Sequence, residues 1–250
     1  MAELTEYDRL SVVLVNTRNP LNIGAVARAM TNFGFLDLRL VKPYPASFRE
    51  ARSAVGASAV LAAAREYESV SAAVADGTLV VGTTSGARRE LEQPLELLGD
   101  VAKIIHKQLS SGRVAILFGS EKRGLSNDDL SHCHLVLRVP THEGHSSMNL
   151  GQAVAVCLYE LARSAPPARA SAKPAGKTRE KSKPPSGDLE RITSLLVEAM
   201  RLSGYVDLRR EASTEEKARR MVRRLDLTGA DSKIWLGMLR QMVWKMKQSN

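Results

Sequence analysis

Five polar side chains in this 250-residue chain have the types and spacing for chemistry: Asn22 and Arg28, Glu121, and Ser147 and Asn149. They sit in three clusters. The first runs from Asn19-Pro20-Leu21-Asn22-Ile23-Gly24 to Arg28, and the second is Phe118-Gly119-Ser120-Glu121-Lys122-Arg123-Gly124. The third is Val139-Pro140 followed by Ser146-Ser147-Met148-Asn149-Leu150. Each follows an apolar run of strand type. In open α/β sheets, ligands bind outside the carboxyl ends of the strands. Three such clusters in this order therefore predict one site assembled from distant stretches of chain.

Each cluster has its own physical reading. Gly119 and Gly124 allow backbone groups to approach a ligand closely. The pattern is neither a phosphate-binding P-loop nor the dinucleotide fingerprint, because the required residues fail after Gly124. Glu121 is either a helix-start carboxylate or a site residue. In the third cluster, Ser146, Ser147 or Asn149 caps the helix beginning near Leu150, and capping is compatible with ligand contact. Asn22 and Arg28 lie less than two turns apart if a helix begins near Asn22, so they could bracket one face. Arg28 among Ala25, Val26, Ala27, Ala29 and Met30 is either a snorkelling edge residue or a site cation. His132-Cys133-His134 and His142-x2-His145 find no matching set for a tetrahedral ion, so no metal is expected.

The elements that must hold these clusters alternate. Strand patterns cover 11–15, 38–41, 78–81, 114–118 and 134–139. Helical patterns run from Ile23 to a stop at Gly34, over the Ala-rich 47–65, over 94–109 with Pro94 near its start, and over 150–163. The 78–81 strand leads into Thr83-Thr84-Ser85-Gly86. Strands alternating with helices specify an α/β fold, a mainly parallel sheet with helices on both faces.

Charge divides the chain. Residues 1–165 carry 17 Lys+Arg against 17 Asp+Glu, while 166–250 carry 19 against 10, so the net charge of +9 lies in the last third. The segment 164–187 holds five of the ten prolines and six Lys+Arg, a composition that cannot bury enough surface to order itself. This predicts three parts: a globular domain over 1–164, a flexible basic linker over 165–187, and a small helical extension over 188–250. The extension contains helical patterns at 189–202, 214–225 and 232–246, the second with a capped start at Ser213-Thr214. In it Arg219, Arg220, Arg223 and Arg224, with Lys217, form a basic face for a polyanion, leaving Ala218, Met221, Val222 and Leu225 for packing. Nucleic acid is the expected polyanion. The two cysteines, Cys133 and Cys157, sit in apolar stretches and imply no disulfide. No signal segment opens the sequence, and no apolar run approaches the roughly 20 residues of a membrane span. The reading is a cytoplasmic protein.

Together the clusters resemble the SPOUT superfamily of knotted, S-adenosylmethionine-dependent RNA methyltransferases, in its 2′-O-ribose branch. Asn22-x5-Arg28 is similar to the first family motif, Phe118-Gly119-x-Glu121-x2-Gly124 to the second, and Pro140 with Ser147-x-Asn149 to the third. The resemblance covers about residues 8–163; Met148 stands where Leu is commoner. With the basic extension, the chain looks like bacterial TrmJ-type tRNA (cytidine/uridine-2′-O-)-methyltransferases, which modify nucleotide 32. The resemblance implies a C-terminal trefoil knot, a homodimer, and S-adenosyl-L-methionine held by Thr83, Thr84, Ser85, Gly86, Gly119, Gly124, Val139, Ser146, Ser147 and Met148. It also implies catalytic roles for Arg28, Asn22, Glu121, Ser147 and Asn149, and tRNA as the partner of the basic extension. Arg28 would act either as a base or as a cation that steadies developing negative charge.

Overall fold

The computed structural model describes residues 6–45, 48–49, 59–85, 91–165, 182–206 and 211–249. The β-branched run near the amino end forms β1 (Leu10–Val15), buried along its whole length. β2 (Asp37–Val41), β3 (Arg65–Tyr67), β4 (Leu79–Thr84), β5 (Leu95–Leu97), β6 (Val114–Phe118) and β7 (Leu135–Arg138) complete a sheet ordered β3-β2-β1-β6-β4-β7-β5. All its pairings are parallel.

Strand residues alternate between two cores, as the period of two requires. Val12, Leu14, Ile116, Phe118 and Leu137 face α1 (Pro20–Phe33), α4 (Leu98–Leu109) and α6 (Leu150–Ser164). Val13, Val15, Ala115, Leu117 and Val136 face the shorter helices α3 (Val70–Ala73) and α5 (Asn127–Ser131). A further turn, α2 (Ala59–Ala62), packs with α1 on the first face. Asn19 caps α1 and Pro20 occupies its first turn, where a missing N–H costs nothing. Gly34, at φ +79°, ends the helix by donating its N–H to the Met30 and Thr31 carbonyls.

At the amino ends of the strands lies a charged knot. Arg39 is buried and pairs with Asp37 and Asp76, and also donates to the Ala73 carbonyl. Burial would raise the Asp37 carboxyl, but hydrogen bonds from Arg39 and Ser11 outweigh it and lower it to about 2.

Three helices follow the catalytic-type sheet: α7 (Ser186–Leu202), α8 (Glu211–Arg224) and α9 (Gly229–Ser249). They share a small core of Leu189, Ile192, Val222, Leu236 and Leu239. α7 starts against the α3 side of the sheet, where the Ser186 and Gly187 N–H groups donate to the Gly77 and Ala75 carbonyls at 2.8 and 3.0 Å.

Several expectations need correction. The helical reading of 94–109 gives way to strand β5 before α4, and the Pro94 carbonyl accepts the Val136 N–H. The helical reading of 47–65 fails at Arg65, which opens β3; residues 50–58 of that stretch lie outside the described residues. Both unforeseen strands are three residues long and sit at the sheet's two edges, so neither carries a buried periodic pattern. The start of α8 is also earlier than Ser213-Thr214, which lie inside the helix rather than capping it. Most of the expected linker, 166–181, lies outside the described residues, as does Gly86.

Candidate active site

The three clusters converge at the carboxyl end of the sheet through a single relay of side chains. Asn149 caps α6, its Oδ1 accepting the Gly151 N–H at 2.9 Å and the Gln152 N–H at 3.4 Å. With its oxygen so occupied, the Asn149 amide donates from Nδ2 to Asn22 Oδ1 at 2.9 Å. Asn22, buried in the first turn of α1, donates in turn to Glu121 Oε1 at 3.0 Å. Glu121 also accepts the Asn19 N–H at 3.2 Å and the Arg18 N–H at 3.4 Å. Each amide therefore has its orientation fixed by a neighbour, and residues 22, 121 and 149 form one unit.

Burial would raise the Glu121 carboxyl, but the Asn22 amide and the surrounding backbone N–H groups hold it below the usual carboxylate range. It is an anion at neutral pH. Glu121 joins the first two clusters, receiving the Asn22 amide and the N–H groups of Arg18 and Asn19 at the start of α1. The nearby helix α5 is capped separately by Ser126, which exchanges hydrogen bonds with Asp129.

Beside this relay lies a cavity of about 300 Å³, within the size range of small-molecule sites. Thr83, Thr84, Ser85, Gly119, Gly124, Val139, Ser146, Ser147 and Met148 all line it. Leu137, Leu150 and Ala153 add an apolar floor. Thr83 is held by a 2.8 Å bond from its hydroxyl to the Leu117 carbonyl. The 119–124 segment closes on itself, with the Gly124 N–H donating to the Ser120 carbonyl at 2.8 Å. A Cβ on Gly119 would lie 2.0 Å from the Gly124 carbonyl carbon. Gly119 is thus required by the chain's own close approach before any ligand is considered. Gly124, at φ +66°, supplies the left-handed turn.

Arg28 is not brought to this cavity. Six residues along α1 turn it about 120° away from Asn22, so the two do not bracket one face. Arg28 is exposed, on a stripe with Leu21 and Ala25, and makes no hydrogen bond or ion pair among the described residues. Leu21, 79% exposed at the start of α1, and Leu36 and Tyr159, exposed near its far end where Tyr159 meets Phe33, give this outer surface apolar residues at both ends.

The basic residues of α8 also differ from expectation. Arg219 is buried and pairs with Asp128, Glu190 and Glu215, and donates to Ser131 Oγ at 2.9 Å. Arg223, buried, donates to the His132 carbonyl at 3.0 Å and pairs with Glu190. Arg220 pairs with Glu92 and Glu216. These three fasten α8 to the sheet domain, so they are not an open face for a polyanion. Arg224 and Lys217 remain exposed, as do Met221 and Leu225, which were expected to pack. Helical periodicity located the arginines; only the acids at 92, 128 and 190, distant in sequence, reveal which way they point.

A second, larger groove of about 1680 Å³ opens on the other side of the 119–124 loop. Its wall includes Asn22, Lys42, Tyr44, Glu121, Lys122 and Arg123. The sequence offered no signal for Lys42 and Tyr44 beyond their place at the end of a strand. Among the described residues no cluster of three or more His, Cys, Asp or Glu could hold a metal ion, and no helix is long and apolar enough to cross a membrane.

Comparison with known proteins agrees with this geometry. Residues 9–159 match the SpoU rRNA Methylase family. The tRNA (cytidine/uridine-2′-O-)-methyltransferase TrmJ of Klebsiella pneumoniae is 33% identical over 234 residues, covering 92% of this chain and 94% of that protein. The enzyme of the same name from Photorhabdus laumondii is 35% identical over 219 residues, covering 87% and 89%. The crystal structure of TrmJ from Z. mobilis ZM4 superposes with a TM-score of 0.77 at 30% identity, over 93% of this chain and 98% of that one. With all three clusters inside the matched region, the chain belongs to the SpoU rRNA methylase family.

Proposed function

We propose that the protein methylates a ribose 2′-oxygen in tRNA, at nucleotide 32 of the anticodon loop, using S-adenosyl-L-methionine. The observation that carries this reading is the Asn149–Asn22–Glu121 relay at the mouth of the cavity, in a chain similar over nearly its whole length to enzymes named for this reaction.

The cavity fits the cofactor. Its floor of Leu137, Val139, Leu150 and Met148 suits an adenine plane, and the hydroxyls of Thr83, Thr84, Ser85 and Ser147 suit ribose and amino-acid groups. Bound there, the cofactor would supply a methyl group activated as a sulfonium. The protein's part is positioning and electrostatics. A poor nucleophile must be held within about 3–3.5 Å of its target, and Asn22 and Asn149, locked by the relay, are placed to fix the approach of the substrate. As the 2′-hydroxyl loses its proton, a cation must steady the developing negative charge. Arg28 is the residue assigned to that task. A free guanidinium is always protonated, which favours the stabilising role over that of a base.

Arg28 is exposed on the Leu21–Ala25 stripe and outside its own subunit's cavity. This supports a homodimer built on the outer face of α1 and α6, in which Arg28 completes the partner's site. The strand order, with β7 between β4 and β5, supports a knot made by the chain that follows β7. The helices of 188–250 would add tRNA affinity through Lys217 and Arg224 rather than the buried arginines. A basic RNA-modifying protein of this kind would work in the cytoplasm.

The test is binding of S-adenosylmethionine by calorimetry, followed by transfer of a labelled methyl group to bulk tRNA and, separately, to ribosomal RNA. Labelling of tRNA alone supports the proposal. Labelling of ribosomal RNA alone would replace the substrate, and cofactor binding without transfer would leave a scaffold.

A further inference from the structure

The large groove beside the cavity has a charge pattern that its residue count hides. Five acids line it: Glu92, Glu121, Asp128, Asp129 and Glu216. Every one has a partner within the protein. Glu92 and Glu216 pair with Arg220, Asp128 with Arg219, Asp129 with the Ser126 hydroxyl and N–H, and Glu121 with Asn22 and two backbone N–H groups. Three cations on the same wall, Lys42, Lys122 and Arg123, are exposed, and their side chains make no hydrogen bond or ion pair among the described residues. The heads of these three side chains are therefore available to an anion that enters the groove, whereas the acids are oriented by their own partners.

Two further features suit an extended polyanion carrying flat rings. Tyr44 is 57% exposed on this wall, set between Pro43 and Pro45, and its N–H is anchored to the Thr17 carbonyl at 3.1 Å. Lys42, two residues before it, is held in the left-handed region at φ +45° with its N–H on the Tyr67 carbonyl, a conformation that a non-glycine residue rarely adopts. Lys122 and Arg123 line both the groove and the cofactor cavity, so the two spaces share one wall. That wall is the 119–124 loop carrying Glu121.

We propose that this groove is the path of the single-stranded RNA flanking the modified nucleotide. Lys42, Lys122 and Arg123 contact successive phosphates, and Tyr44 stacks on one unpaired base. The inference rests on the function proposed above and assigns it residues. All four are positioning residues; none touches the reacting atoms. Stacking on an aromatic ring is tolerant of base identity and holds an extended strand, while phosphate contacts fix register without reading sequence. The docked helix α8 closes the far end of the groove through Glu216, so the C-terminal helices and the sheet domain would grip the same RNA.

The test uses the full-length protein, bulk tRNA lacking the modification, and four variants: Tyr44→Ala, Tyr44→Phe, Lys42→Gln with Arg123→Gln, and Lys103→Gln as a surface-charge control far from the groove. Equilibrium tRNA binding, KM, kcat and S-adenosylmethionine affinity are measured for each. Tyr44→Ala should raise the Kd and KM for tRNA roughly ten- to hundredfold, with kcat and cofactor affinity within about twofold, and Tyr44→Phe should restore binding. The double Gln variant should reduce the log–log salt slope of tRNA binding by about 1.4, the value for two single-strand phosphates, and Lys103→Gln should not. If the wild-type protein methylates tRNA and these variants bind it as tightly, with the same salt slope, the groove is not the RNA path. If the wild-type protein neither binds nor methylates tRNA, the function and the groove assignment fall together.

Discussion

Asn149 serves two masters, and substitutions can separate them. Its oxygen caps α6 and its nitrogen holds Asn22. Asn149→Ala removes both, and loss of the cap should destabilise the fold by about 0.5–2 kcal/mol in thermal or denaturant melts. Asn149→Asp keeps an oxygen for the cap, at the positive end of the helix dipole. However, it sets a carboxylate against the Asn22 oxygen. This variant should melt no lower than wild type yet lose at least tenfold in methyl transfer; full activity would mean the relay has no role. Arg28→Ala should lower turnover by on the order of 100-fold while leaving S-adenosylmethionine affinity within about twofold, because Arg28 does not line the cofactor cavity. Arg28→Lys should fail as well, since a point ammonium cannot reproduce the planar guanidinium. Residue types and spacing singled out Asn22, Glu121 and Asn149, which the fold joins in one relay, and Ser147, which lines the cavity beside it. A six-residue spacing already turns Arg28 about 120° from Asn22 on a helix that holds both; what the sequence did not show is what covers each side.

Among the elements, the 119–124 loop and helix α8 give contrasting lessons. Gly119→Val would drive a Cβ into the Gly124–Leu125 backbone and should cause a large loss of folding stability rather than a selective loss of cofactor binding. Gly124→Ala meets open space and should cost only the roughly 1–2 kcal/mol of a left-handed non-glycine residue. Similar melting temperatures for the two variants would contradict this account of the loop. Helix α8 was legible as a helix rich in arginine, and its orientation was not. Glu190 sits between Arg219 and Arg223, so Glu190→Ala would leave buried guanidinium groups short of a partner. Such a loss costs about 3–5 kcal/mol. The C-terminal helices should then detach, visible as new protease cleavage in 182–211 at unchanged cofactor affinity. The edge strands β3 and β5 escaped the sequence for a related reason: three residues with no fully buried side chain are too short to show a period, and only pairing to β2 and β7 defines them.

Across the whole molecule, the parallel sheet and its two helical layers followed from buried strand runs separated by helical periods, whereas the docking of the basic helices onto that sheet did not. The docking surface has a pH signature. Burial, with Arg219 and Arg223 nearby, lowers His132 to about 2, and burial with Arg223 lowers His134 to about 3. Both are neutral when folded, while the unfolded chain binds their protons below about pH 6.5. Stability is therefore full above that pH and is lost as the pH falls towards 3. Between pH 7 and 4.5 the folded protein should lose about 2–5 kcal/mol by denaturant titration, with Asp37 adding to the loss only below about pH 4. A flat profile down to pH 4.5 would show the histidines to be solvated. The central claim concerns the molecule's purpose: the relay and its cavity methylate a ribose in tRNA. Mapping the labelled methyl group on tRNA after alkaline hydrolysis tests it most directly, because a 2′-O-methyl blocks cleavage at the phosphodiester that follows. The account predicts one alkali-resistant dinucleotide carrying the label, located at position 32, and none with Arg28→Ala. Label released entirely in alkali-sensitive mononucleotides would place the methyl on a base and contradict it.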